Sequence, residues 1–191
     1  MRTLIILGHP SENSLCHAIA QEYAKGASEK GSEIKTLNVG SLHFNPNLKH
    51  GYKRNQNLEP DLVAAQELIK WASHLVFVYP VWWGGVPAIL KGFIDRAFLP
   101  GFAYNTHEDL ATIEGLLSDK TARLIVTSDS NSMWLHLNYL HPAVNMMKKS
   151  VLEFCGVESV SVSSFGGVRD ASEKKVQGIL YDAYRIGLDD N

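Results

Sequence analysis

Two loops in this 191-residue chain carry side chains whose types and order suit ligand chemistry. The first is His9-Pro10-Ser11-Glu12-Asn13-Ser14. It supplies hydroxyl and amide donors just where a helix is expected to begin. Free backbone N–H groups and the helix dipole favour an anion there, above all a phosphate. The second is Pro80-Val81-Trp82-Trp83-Gly84-Gly85. Its two indoles are a poor fit for water, and its glycines let the backbone approach a planar ring closely. A third, weaker candidate is Thr127-Ser128-Asp129-Ser130, a hydroxyl-rich turn. Each has a plainer reading. Ser14 can simply cap its helix, with His9 at the surface, and Trp82 and Trp83 can bury against neighbouring helices. There is no GxxxxGK[ST] and no GxGxxG, which excludes a nucleotide-triphosphate loop and a Rossmann fingerprint. Eight histidines and two cysteines show no HxxxH or CxxC spacing, so no metal site is expected.

The elements that must position these loops follow from periodicity. Thr3–Leu7, Leu75–Val78 and Ala122–Thr127 are short apolar runs, read as strands buried on both faces of a parallel sheet. Glu33–Val39 is more polar and is placed nearer an edge. Ser159–Ser163 alternates Val with Ser, as a strand with one solvated face does. Helices are expected from Leu15 to before Gly31, from Pro60 to Ala72, from Pro87 to Phe98, and from Leu140 to Cys155, where Gly156 caps the end. Asp170 and Glu173 read as a capping box for a last helix. Thr106–Asp119 is expected to be a loop with a helical turn at Glu114–Leu117. His43–Leu58 is a long connection without periodicity, and such loops are usually functional or disordered. Five alternations of strand and helix, with no sixth strand, predict one doubly wound three-layer α/β domain over residues 1–191. Its parallel sheet is expected in the flavodoxin-like order 2-1-3-4-5. In that order the first two loops meet at the switch point, where such sheets bind ligands.

Composition narrows the classes further. Eighteen basic and twenty acidic residues give a formal charge of −2, so no basic surface is expected for nucleic acid or membrane. The apolar runs are too short for membrane insertion. Two cysteines and an N-terminal apolar stretch shorter than a signal-peptide core predict a cytoplasmic protein with reduced thiols.

The segments GHPSENSL, FNPNL, YPVWWGGVPAILKGFIDRAF, GFAY, SDSNSMW and LEFCG resemble the NAD(P)H:quinone oxidoreductase (DT-diaphorase-like) family of flavodoxin-like flavoproteins. The likeness runs from residue 3 to about residue 180. It implies that His9, Ser11, Asn13, Ser14, Leu15 and Cys16 hold the flavin phosphate. It implies that Pro80, Val81, Trp82, Trp83 and Gly84 lie along the isoalloxazine ring, and that Thr127, Ser128, Asp129 and Ser130 meet its pyrimidine edge. Trp134, and Tyr104 from the partner in a homodimer, would line a slot used in turn by NADH or NADPH and by a quinone, nitroaromatic or azo acceptor. The implied mechanism is ping-pong hydride transfer through flavin N5, with His141 or His136 relaying a proton. The chain departs from the family at Trp134 and Thr106, where the diaphorases have tyrosines, and at Asp129, which replaces a glycine. FAD is expected ahead of FMN, with the His43–Leu58 segment supplying an adenosine surface and Lys174 or Lys175 a charge. The fold also admits an electron carrier, which would rely on a strongly acidic face, and an ancillary regulatory subunit of a potassium-efflux transporter.

Overall fold

The computed structural model describes residues 1–51, 56–106, 113–130 and 140–190. Strands β1 (Arg2–Leu7), β2 (Glu33–Asn38), β3 (His74–Pro80), β6 (Thr121–Ser128) and β7 (Ser159–Gly166) form one parallel sheet in the order β2-β1-β3-β6-β7. Two short strands, β4 (Tyr104–Thr106) and β5 (Ile113–Gly115), pair antiparallel outside it. With those set aside, the order is the expected 2-1-3-4-5.

Strand alternation explains the layers. Leu4 and Ile6 of β1, Leu75, Phe77 and Tyr79 of β3, and Leu124 and Val126 of β6 face one side of the sheet. They pack there on α2 (Pro60–Trp71), α3 (Ala88–Ala97) and α4, which starts at Pro142–Asn145 and continues as a π-helix over Met146–Glu153. Ile5, Leu7, Val76, Val78 and Ile125 face the other side, against α1 (Leu15–Glu29) and α5 (Glu173–Asp189). All seven residues of β3 are buried. Each large side chain buried this way contributes about 1.5–3 kcal/mol, so the central strand anchors both layers. Helices α1 and α5 approach through reciprocal glycines. A Cβ on Gly26 would lie 2.1 Å from the Tyr184 carbonyl oxygen, and one on Gly187 would lie 2.2 Å from that of Tyr23.

Four local expectations need correction. Residues 104–106 and 113–115 form a hairpin pair, and no helical turn forms at Glu114–Leu117. The cause is a close crossing: a Cβ on Gly115 would fall 2.3 Å from the Gly156 nitrogen, and the Leu117 N–H is taken by the Cys155 carbonyl at 2.8 Å. Helix α4 begins at Pro142, not Leu140, because Leu140 and His141 are both left-handed, with φ of 54° and 50°. Its later turns are π-wound. The cap of α5 is Ser172, whose Oγ accepts the Lys175 N–H at 3.3 Å, so Asp170 lies too early in the chain to serve.

The described parts of the His43–Leu58 connection are strapped over α3. The fully buried Arg96 donates through Nη1 to the Asn45 carbonyl at 2.5 Å, through Nη2 to the Asn57 carbonyl at 3.0 Å, and through both to the Glu59 carboxylate. These bonds hold the Glu59 carboxyl below its ordinary range. Phe44 meets Phe93 edge-on, and Pro46 sits on Gly92, where no side chain would fit. Among the described residues no helix is long and apolar enough to cross a membrane.

Candidate functional site

Strands β1, β3 and β6 are neighbours, so the loops leaving their carboxyl ends meet. Gly8 N–H extends the ladder to the Val78 carbonyl at 2.9 Å, and Val81 N–H does the same to Thr127 at 2.8 Å. Gly8 is tight: a Cβ there would lie 2.6 Å from Leu90 Cδ2 and 3.1 Å from Tyr79 Cβ. A larger residue would have to displace the Leu90 side chain.

That loop is internally braced. Ser11 N–H donates to His9 Nδ1 at 3.0 Å, and Asn13 N–H to Ser11 Oγ at 3.3 Å. Ser14 caps α1, its Oγ accepting from His17 N–H at 3.3 Å. Ser14 therefore serves as the helix cap, and the amides of Leu15 and Cys16, the first two helical residues, have no intrahelical carbonyl to meet. The Cys16 side chain is buried, while Leu15 is half-buried and lines the groove beside the loop. The Cys16 thiol is buried, lies 3.4 Å from Thr127 Oγ1, and is pushed up to about 11 by burial. The Cys155 thiol, also buried, is pushed up to about 12. Beside the loop, a groove of about 670 Å³ runs between Asn13, Ser14, His17 and Gln21 on one side and Val168 and Val176 on the other.

The tryptophan loop is a closed turn. Trp82 N–H meets the Gly85 carbonyl at 3.0 Å and Gly85 N–H meets the Trp82 carbonyl at 2.9 Å. Trp83 and Gly84 between them are both left-handed, with φ of 52° and 73°. That is the signature of a type I′ turn, which favours Asn, Asp or Gly at the position Trp83 holds. The two indoles part company here. Trp82, 44% exposed, stands edge-on to the His9 ring with 5.5 Å between centroids, tying the second loop to the first. Trp83 is fully exposed, so burial against a helix does not account for it.

In the third loop the hydroxyls look inward. Thr127 and Ser128 are buried, and Ser128 Oγ donates to the Ser130 carbonyl at 2.8 Å. Asp129 is exposed and paired with Arg169 at 2.9 Å. His141 comes to the same end of the sheet, beside Val81 and Ser128. Tyr104 does not. It follows the carboxyl end of α3 and leads through β5 to the start of β6, so it sits toward the opposite end, its ring 5.1 Å from that of Phe154. Trp134 and His136 lie outside the described residues. Of the two lysines expected near the site, Lys175 is committed to the Gly166 and Gly167 carbonyls, at 2.8 and 2.7 Å.

The periodicity argument missed the corner after β2. Asn38 and Gly40 pack under the first loop. An Asn followed by Gly two residues on, at a strand end, is a turn signal that marks the place but not the contact.

Comparison with known proteins matches residues 1–184 to a family model described as a flavodoxin-like fold. An uncharacterized NAD(P)H oxidoreductase of Haemophilus influenzae is 32% identical over 189 residues, covering 94% of this chain and 91% of its own. NAD(P)H dehydrogenase [quinone] 1 of Rattus norvegicus is 29% identical over 182 residues, covering 82% of this chain and 65% of its own. The solved NAD(P)H:quinone oxidoreductase of Methanothermobacter marburgensis superposes with a TM-score of 0.85 at 25% identity, over 98% of each chain.

Proposed function

The chain belongs to the flavodoxin-like fold family, among its NAD(P)H oxidoreductases, and from that premise we propose that it is a flavin-dependent NAD(P)H:quinone oxidoreductase. The observation that carries this is the meeting, at the carboxyl ends of β1 and β3, of a helix N-terminus with unmet amides and an aromatic turn whose Trp82 ring lies 5.5 Å from His9. That pairing suits a molecule with a phosphate at one end and a flat ring at the other.

The residues present fit a flavin. Leu15 and Cys16 amides, with Ser11 and Asn13, are donors for its phosphate. The backbone of Pro80–Gly84, the exposed Asp129 and the half-buried Ser130 are within the same loop cluster, for the ring and its edge. When bound, the flavin supplies the centre that accepts a hydride from NAD(P)H and passes it to the acceptor. The chain's own contribution is orientation. The closed Trp82–Gly85 turn holds an indole at the mouth of the site, so a planar donor and a planar acceptor use one slot in turn. His141 is near enough to that end to hold a proton for the acceptor.

FAD remains the preferred flavin, on different grounds from those the sequence offers. The His43–Leu58 segment is drawn onto α3 by Arg96. The groove lined by Val168 and Val176 adjoins the phosphate loop directly and has room for an adenosine. A two-fold homodimer completes the reading. Tyr104 flanks a groove of about 300 Å³ with Phe98, Met146 and Phe154, and only across a dimer can it reach a neighbour's flavin.

Purified protein is expected to show flavin absorbance, to release FAD on heating, and to oxidise NADH or NADPH when menadione is supplied. Parallel double-reciprocal lines support the shared slot. A colourless protein that neither FAD nor FMN reconstitutes removes the proposal.

A further inference from the structure

The corner after β2 is built against the first loop. Gly40 is pressed on its backbone. A Cβ there would lie 2.8 Å from both Pro10 Cα and the Pro10 carbonyl oxygen, and 3.0 Å from that of His9. These are main-chain atoms, so relief requires the loop itself to move. Asn38 uses both ends of its amide. Its oxygen accepts from the Gly40 N–H at 3.1 Å, which leaves its nitrogen to donate to Glu12 Oε1 at 3.2 Å. Ser41 Oγ closes the turn on the Asn38 carbonyl at 3.0 Å.

Glu12 is the one anionic side chain between His9 and Ser14, and it stands beside a helix N-terminus. A carboxylate is itself a good ligand for such a site and repels a phosphate arriving there. Asn38 engages that carboxylate from the β2 side, and the same side chain fixes the wedge that supports the loop. Resting on the flavin reading above, we propose that Asn38 and Gly40 are positioning residues for flavin binding. They set the course of the His9–Ser14 backbone and keep the Glu12 carboxylate off the amides of Leu15 and Cys16.

The test titrates apoprotein with FAD, and separately with FMN, following the quench of flavin fluorescence. Asn38→Asp keeps the acceptor for Gly40 but sets a second carboxylate against Glu12. Flavin affinity is expected to fall roughly tenfold, the size of one lost charge-assisted bond. Adding Glu12→Gln reverses the polarity of the pair: the introduced amide donates to the introduced carboxylate, and net charge equals that of the wild type. Affinity is then expected to return to within about threefold. Gly40→Ala is expected to weaken binding. Gly178→Ala, where a Cβ meets nothing within 4 Å, is expected to leave it unchanged. The apoprotein melting temperature of Asn38→Asp should stay near wild type, since the bond it breaks is exposed. Wild-type affinity in Asn38→Asp, or a double variant no better than the single one, overturns the proposal. A wild-type protein that binds neither flavin overturns the functional reading beneath it as well. If Gly40→Ala does not fold, the charge-reversal pair decides alone.

Discussion

The two ends of the same five strands are built on opposite terms. At the amino end, polar groups pair with one another, the buried Thr3 hydroxyl and His74 Nε2 being left without a hydrogen bond. His74, the first residue of β3, meets Thr121, the first of β6, at 2.7 Å. Asp190, just past α5, receives Arg123 through two guanidinium nitrogens and the Tyr23 hydroxyl at 2.9 Å, and Arg123 also reaches Ser163 at 2.9 Å. Burial opposes the Asp190 charge, but the hydrogen bonds from Arg123 and Tyr23 and the nearby Arg123 charge outweigh it and pull the carboxyl down to about 2. At the carboxyl end large side chains are left facing outward, although Thr127 and Ser128 are buried. Trp83, Leu140 and His141 are the non-glycine residues with positive φ among those described, and all three gather there. Two of them, Trp83 and Leu140, are large exposed side chains. Helices that follow parallel strands begin at this end, so their unmet amides collect there as well. One end of the sheet holds the fold closed; the other keeps strain and open donors for a ligand.

The contrast can be broken most directly at Asp190. Asp190→Ala leaves Arg123 charged, largely buried and without its carboxylate, and should lower the unfolding free energy by about 3 kcal/mol. Flavin affinity should change less than about twofold, since the site lies at the far end of the strands. Loss of binding with intact stability would show that the two ends are not separate. The pH dependence sharpens the same point. A carboxyl depressed from 3.8 to about 2 contributes stability that is present above the unfolded value and lost as pH falls through the folded one. Linkage puts that contribution at about 2 kcal/mol. Urea unfolding of Asp190→Asn should lack this acid-dependent component.

At the other end, stability and function should move in opposite directions. Trp83→Asn places a favoured residue in the left-handed turn position and removes an exposed indole, so stability should rise by about 1 kcal/mol. The ratio kcat/KM for menadione should fall while flavin content holds. A lower melting temperature would mean that Trp83 packs in the free protein. The smallest effect belongs to the cysteines. Both thiols are buried and shifted upward, so native protein at mildly alkaline pH should resist iodoacetamide. Rapid labelling of Cys16 would show that the first loop opens, and would weaken the picture of a braced cradle.

Much of this was legible in the chain itself. The unbroken run Leu75–Val78 identified a strand buried on both faces, and the alternation of strands and helices led to the sheet order. Gly8 and Ser14 marked where the first loop turns and where α1 starts. Such features depend on residues a few positions apart, where periodicity, capping and backbone preference act. That is why they survive in a one-dimensional reading.

Other features depend on partners that only folding brings together. Arg96 captures Asn45 from 51 positions away, and Tyr23 reaches Asp190 from 167. Asn38 meets Glu12 across two strands, and the reciprocal glycines of α1 and α5 lie at opposite ends of the sequence. The parting of Trp82 from Trp83 belongs to the same class, because a left-handed turn sends neighbouring side chains in different directions. So does the hairpin at Gly115, forced by the close crossing at Gly156. The sequence alone determined the five strands of the main sheet, the layers and the loops that converge. Steric fit and charge pairing between distant segments decided which atoms in those loops face a ligand, since neither leaves a local periodicity to read.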